Sequence, residues 1–68
     1  MTITYFEDTD TALIDFSERP VFETKEINEN IYIDIDTDGN LVSMTVEHAK
    51  ESGALNKLVY EEVKSKSA

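Results

Sequence analysis

The chain has no cysteine and no tryptophan, one proline, one histidine and two glycines. Without cysteine, neither a disulfide nor a thiolate zinc site can staple a chain of 68 residues, a length at which core burial alone gives marginal stability. One histidine, His48, cannot supply a histidine metal set or a catalytic triad. Two glycines do not make a phosphate-cradling loop. Basic residues are also scarce: six Lys and Arg stand against fifteen Asp and Glu, a net charge of −9. That field repels a phosphate backbone, so direct nucleic-acid binding by this chain alone is not expected. No segment approaches the ~18 apolar residues of a membrane span, and the amino terminus has no signal pattern. A soluble, unprocessed, cytoplasmic chain with no membrane contact is the expectation.

What is present centres on Asn30 to Glu47, NIYIDIDTDGNLVSMTVE. Ile31, Ile33 and Ile35 alternate with Tyr32, Asp34 and Asp36, which places the isoleucines on one face of a strand and the carboxylates on the other. Thr37-Asp38-Gly39-Asn40 interrupts with an Asp-Gly turn signal, and Leu41 to Val46 resumes the strand pattern. This is a hairpin with one dry side.

The chain before it reads as further strands. Ile3 to Phe6 is rich in β-formers, Glu7 to Asp10 is turn material, and Thr11 to Phe16 pairs back, with Ala12, Ile14 and Phe16 on one side and Leu13 and Asp15 on the other. Pro20 breaks the pattern, because it lacks an N–H and restricts Arg19. Val21 to Ile27 predicts a third strand with one exposed face, turned at Asn28-Glu29-Asn30. Short connections predict an antiparallel meander of four to five strands over residues 1–49, whose apolar face must be covered.

The expected cover is helical. In residues 54–63, Leu55, Leu58, Val59 and Val63 recur near helical spacing and make one narrow apolar stripe. Gly53 either ends a short helix begun near Val46 to His48 or hinges two helices. Lys64 to Ala68 are polar and expected to fray. The fold class expected is therefore α+β, with a β domain at 1–49 and a helical partner-binding segment at 50–68.

Few residues suggest chemistry. Asp34-x-Asp36-x-Asp38-Gly39 has the opening spacing of an EF-hand calcium loop, but Thr45 stands where a bidentate glutamate is required and the flanks read as strands. A weak calcium-binding module is therefore a minor alternative to a plain acidic turn, and no metal or cofactor is expected. The serines at 17, 43, 52, 65 and 67 have no base beside them in any recognisable pattern. Asp34 and Asp36 as an acid–base pair would need a concave, partly dry site that a one-layer sheet does not offer. No catalytic residue is assigned, and an enzyme is not expected. His48 reads as a partly exposed polar residue; Tyr5, Tyr32 and Tyr60 read as core-edge residues or interface anchors.

Four stretches carry a family resemblance: Ile3-x-Tyr5, Asp10-x-Ala12-Leu13-Ile14-x-Phe16-Ser17, Glu23-Thr24-Lys25-Glu26-Ile27, and Ile31-Tyr32-Ile33-Asp34-Ile35-Asp36-x-Asp38-Gly39-x-Leu41-Val42. In this order and spacing they resemble the small bacterial domain-of-unknown-function family 2283 over residues 1–49. Members commonly carry glycine and then glutamate after the Leu-Val pair, where this chain has Ser43 and Thr45. The resemblance implies a small β-sheet followed by helical material, and no catalytic residues. Some relatives look like antitoxins of toxin–antitoxin pairs, partners of small basic toxins resembling RelE-type ribonucleases.

On that resemblance the expected partner is a small basic protein toxin. Leu55, Leu58, Val59, Tyr60 and Val63 would anchor the tail, and Glu51, Glu61 and Glu62 would meet basic groups. A homodimer or a toxin–antitoxin hetero-oligomer is expected. The alternatives are a tail folded back over its own sheet, and a homodimeric interaction or adaptor domain without a toxin.

Overall fold

The computed structural model describes residues 1–65. Five strands form one antiparallel sheet: β1 Thr2–Phe6, β2 Thr11–Asp15, β3 Glu23–Asn28, β4 Ile31–Ile35 and β5 Leu41–Val46. Their order is β1-β2-β5-β4-β3. The hairpins β1–β2, β3–β4 and β4–β5 follow the sequence pattern. The expected meander, however, is replaced by a Greek key, because β5 inserts beside β2 and the link between β2 and β3 must run across two strands to the far edge.

That link is held by specific bonds. The N–H groups of Phe16 and Ser17 donate to the Val42 carbonyl at 2.8 and 3.2 Å, and Phe22 N–H donates to Ile35 O at 2.8 Å. Arg19 Nη1 donates to Asp36 Oδ2 at 2.9 Å, tying the middle of the link to the β4–β5 turn. Val42 is the extra residue of a bulge, since Asp34 faces Ser43 while Ile35 faces Leu41.

The register sorts side chains into rows, because directly paired residues point to the same face. One face carries Tyr5–Ala12–Val46–Ile31 and, next to it, Ile3–Ile14–Met44–Ile33–Lys25, a row that crosses all five strands. The opposite face carries Thr4–Leu13–Thr45–Tyr32–Glu26 and Thr2–Asp15–Ser43–Asp34–Thr24. Within the latter row Ser43 Oγ and Thr24 Oγ1 both donate to Asp34, at 2.6 and 2.5 Å. The alternation of Ile and Asp in β4 thus produces a dry face and a hydrogen-bonded polar one.

The tail corrects the α+β expectation. No helix is present among the described residues, and the fold is all-β. Residues 47–53 form consecutive turns, with Gly53 at φ +81° acting as a turn residue and not as a helix stop or hinge. Residues 57–65 have no regular structure. A ten-residue helix is too short to hold without a surface behind it, Val59 and Val63 are β-branched, and no capping residue opens the segment with a satisfied N–H. Of the terminal stretch expected to fray, residues 66–68 lie outside the described residues.

The core is small. Ala12, Val46 and Ala49 form its buried cluster, with Tyr5, Ile14, Ile31, Met44 and Leu55 packed around them, and Val42 is buried apart from that cluster. Ala49 and Leu55 come from the turn segment, so residues 47–55 act as a flap over the Tyr5–Ala12–Val46–Ile31 end of the dry face. The neighbouring row stays half-buried.

Candidate functional site

The root of the tail is fixed by Asp10. This residue sits at φ +55° in the β1–β2 turn, a conformation that Asp tolerates better than most residues because its short side chain bonds locally. Its Oδ1 accepts the Tyr5 hydroxyl at 2.7 Å and Lys50 N–H at 2.9 Å, and its Oδ2 accepts Glu51 N–H at 3.0 Å. Its backbone carbonyl accepts Ala49 N–H at 2.8 Å. Lys50 Nζ stacks 4.5 Å from the centre of the Tyr5 ring.

The electrostatics follow from this geometry. The Tyr5 hydroxyl bond, then the two N–H groups, hold the Asp10 carboxyl below the usual carboxylate range. Conversely, donation to Asp10 pushes the Tyr5 hydroxyl up to about 12, because losing that proton would leave two anions in contact. His48, at φ +54°, places Nδ1 3.0 Å from Asn30 Oδ1 beside Glu29, Glu51 and Ser52 in a shallow depression.

Beyond the flap, the predicted anchors separate. Leu55 is not presented to a partner; it packs on Ala12, Val46 and Ala49, and its N–H donates to Ala49 O at 2.7 Å. Leu58, Val59, Tyr60 and Val63 are 63%, 64%, 78% and 84% exposed. They stand close together in sequence on a segment that leaves the sheet, with Glu61 and Glu62 exposed among them. Glu51 contributes its N–H to Asp10 and leaves its side chain exposed. Leu55 and the Glu51 backbone therefore mount the tail, while the Glu51 side chain and the other six residues are exposed.

The aspartates of the Asp34-x-Asp36-x-Asp38-Gly39 stretch do not converge. Asp36 Oδ1 accepts the N–H groups of Asp38 and Asn40 at 2.9 and 2.8 Å, and its Oδ2 receives Arg19. The Arg19 bond first, and these turn amides next, lower its pKa despite opposing burial. Asp34 is bonded across strands on the polar face. Among the described residues no group of three Asp, Glu or His side chains is placed to hold a metal ion. Tyr32, on the polar face, has its pKa raised by Glu26, then Glu47.

Sequence reasoning missed Asp10 as a latch and Arg19 as a pin, because each partner lies far along the chain. The one available signal for Asp10 was its acidic side chain at the end of a turn whose hairpin also offers Tyr5.

Among the described residues no helix is long and apolar enough to cross a membrane. A family model described as a protein of unknown function (DUF2283) matches residues 2–50, a span that takes in the sheet and the Asp10 latch but stops before the exposed tail. Comparison with curated proteins and with solved structures gives no match.

Proposed function

This chain belongs to the DUF2283 family, and we propose that it is an antitoxin-like binding protein, a sheet scaffold that presents its tail to a small basic ribonuclease of RelE type. The observation that carries this reading is the exposed apolar run from Leu58 to Val63 on a chain of net charge −9. An extended segment with Leu58, Val59, Tyr60 and Val63 as anchors can lie along a groove or add to a sheet edge of its partner. Tyrosine gives contact area with a polar tip at low entropic cost. Glu51, Glu61 and Glu62 meet Lys and Arg of the ribonuclease, and the field of the whole chain steers the encounter.

In this reading no step of catalysis belongs to the chain. It inhibits by occupying a basic surface that RNA would otherwise use, a role for which a net charge of −9 is suited. Because the segment orders on binding, part of the contact energy offsets lost chain entropy, and the complex depends on a few anchors.

The experiment is co-expression with a small basic ribonuclease of RelE type, taken from the gene next to this chain's own if one is found there. The full chain restores growth, and a chain with Leu58, Val59, Tyr60 and Val63 all changed to serine does not. Equal neutralisation by that variant, or by a chain ending after Gly53, overturns the assignment.

A further inference from the structure

The sheet carries a second surface, independent of the tail. On the dry face the flap covers only the first row; Ile3, Ile14, Met44 and Ile33 in the second row remain half-buried, and Phe16 and Leu41 beyond them are 39% exposed. A sheet with one apolar face is stable when a second layer covers it, and the described residues supply that layer at one end only.

The charge pattern identifies what fits there. The acidic residues lie in the turns, in the tail and on the polar face, and the strand residues of the dry face include just one acid, Glu23, with one base, Lys25, two residues along the same edge strand. A surface this free of charge is a poor match for a strongly basic protein and a good match for another apolar sheet. Glu23 and Lys25 also make it self-complementary. A two-fold axis in the interface, running across the strands between the Ile3–Ile14–Met44–Ile33 row and the Ile35–Leu41 pair, lays β3 antiparallel over its copy. Lys25 then faces Glu23 of the copy, and Glu23 faces its Lys25. The same axis sends the two flaps to opposite ends of the contact.

We infer that this face is the interface of a homodimer, two copies stacked sheet on sheet through Ile3, Ile14, Met44, Ile33 and Ile35 with reciprocal Lys25–Glu23 pairs. Five strands about 4.8 Å apart, and two free rows, give a footprint of order 300 Å² per copy in projection. Doubled over both copies that is about 600 Å², below the range of stable specific interfaces, so the dimer is a weak, transient one that fills only at high concentration.

A chain without cysteine makes the test direct, because one thiol reports one position. The full chain is prepared as Met44→Cys, at the centre of the dry face, and as Thr4→Cys, on the polar face. Alkylation of the Met44→Cys thiol slows by about tenfold from dilute to concentrated protein as the dimer fills, that of the Thr4→Cys thiol does not change, and sedimentation of the unmodified chain rises toward twice the mass of one chain. Lys25→Glu, on the exposed edge strand β3, weakens the dimer by about two- to fivefold, and adding Glu23→Lys restores it. A single-chain mass at every concentration, equal slowing at both thiols, or protection of the Met44→Cys thiol only when the basic ribonuclease is added would each overturn the dimer. None of these results moves the serine-substituted tail, so the two assignments fail separately.

Discussion

The Tyr5 hydroxyl donates to Asp10 Oδ1 at 2.7 Å, and the same carboxylate receives the N–H groups of Lys50 and Glu51, 40 and 41 residues further along the chain. This junction decides where the flap lies and from where the tail departs. It joins the first hairpin to the turns of residues 47–53, so its loss should free the flap while leaving the sheet paired.

Replacement of Asp10 by asparagine tests this. Asparagine tolerates the positive φ but loses the charge and at least one of the bonds. Amide exchange at Ala49, Lys50 and Glu51 should accelerate by tenfold or more, on the order of one charge-assisted hydrogen bond, while exchange in β4 and β5 changes little. Equal loss throughout the sheet would mean that Asp10 is a general stability residue.

The pH response has a defined sign. The folded pKa values of Asp10 and Asp36 are lowered, so both contribute stability that is fully present above the unfolded value of about 3.9. The contribution is lost as pH falls through the folded values. Thermal unfolding should therefore show a midpoint that declines on acidification below about pH 4, and the decline should be shallower in Asp10→Asn and in Asp36→Asn. Tyr5 acts at the other end: its hydroxyl, raised to about 12, contributes stability below its unfolded value of about 10 and loses it as pH rises through the folded value. Nuclear magnetic resonance titration of the Tyr5 ring should return toward ordinary behaviour in Asp10→Asn.

Gly53 separates backbone strain from crowding. Its φ is +81°, yet a Cβ added there meets nothing within 4 Å. Gly53→Ala should cost about 1 kcal/mol through the left-handed backbone alone, read from urea unfolding. Gly39, at φ +83° with the same open surroundings, should respond alike. A neutral result at Gly53 would mean that the turn does not persist in solution.

Leu55 is the flap's apolar plug, half-buried on Ala12, Val46 and Ala49. Leu55→Ala should destabilise by about 1–2 kcal/mol, less than a fully buried leucine would. Leu58→Ala should fall within about 0.5 kcal/mol of the unmodified chain, as an exposed position does. A large loss at Leu58 would place the tail on its own sheet.

The strands were legible because their signal is local. Alternation of Ile31, Ile33 and Ile35 with Tyr32 and Asp34, and the Asp38-Gly39 turn, state both the hairpin and which side is dry. Strand order was not, since nothing in the period of β2 or β5 says that they are neighbours; the decisive bonds, Ser17 to Val42 and Arg19 to Asp36, join residues that are distant in the chain. The tail misled because Leu55, Leu58, Val59 and Val63 satisfy helical spacing, and spacing states only which residues would share a face if a helix formed. Leu55 is committed to the flap, and the rest have no surface to form against. The exposed candidates were visible as apolar residues among acids, whereas the latch that mounts them depends on contacts no short pattern encodes.

On the proposed antitoxin-like role, residues 57–65, exposed in the free chain, close on a basic partner. Every residue from 57 to 65 has a backbone N–H, because the single proline is Pro20, so hydrogen exchange reads the whole segment. With a small basic ribonuclease of the proposed RelE type added in excess, exchange at Leu58 to Val63 should slow by at least about tenfold, from near the unstructured rate in the chain alone. A stable complex in which these amides still exchange at the free rate would contradict the account.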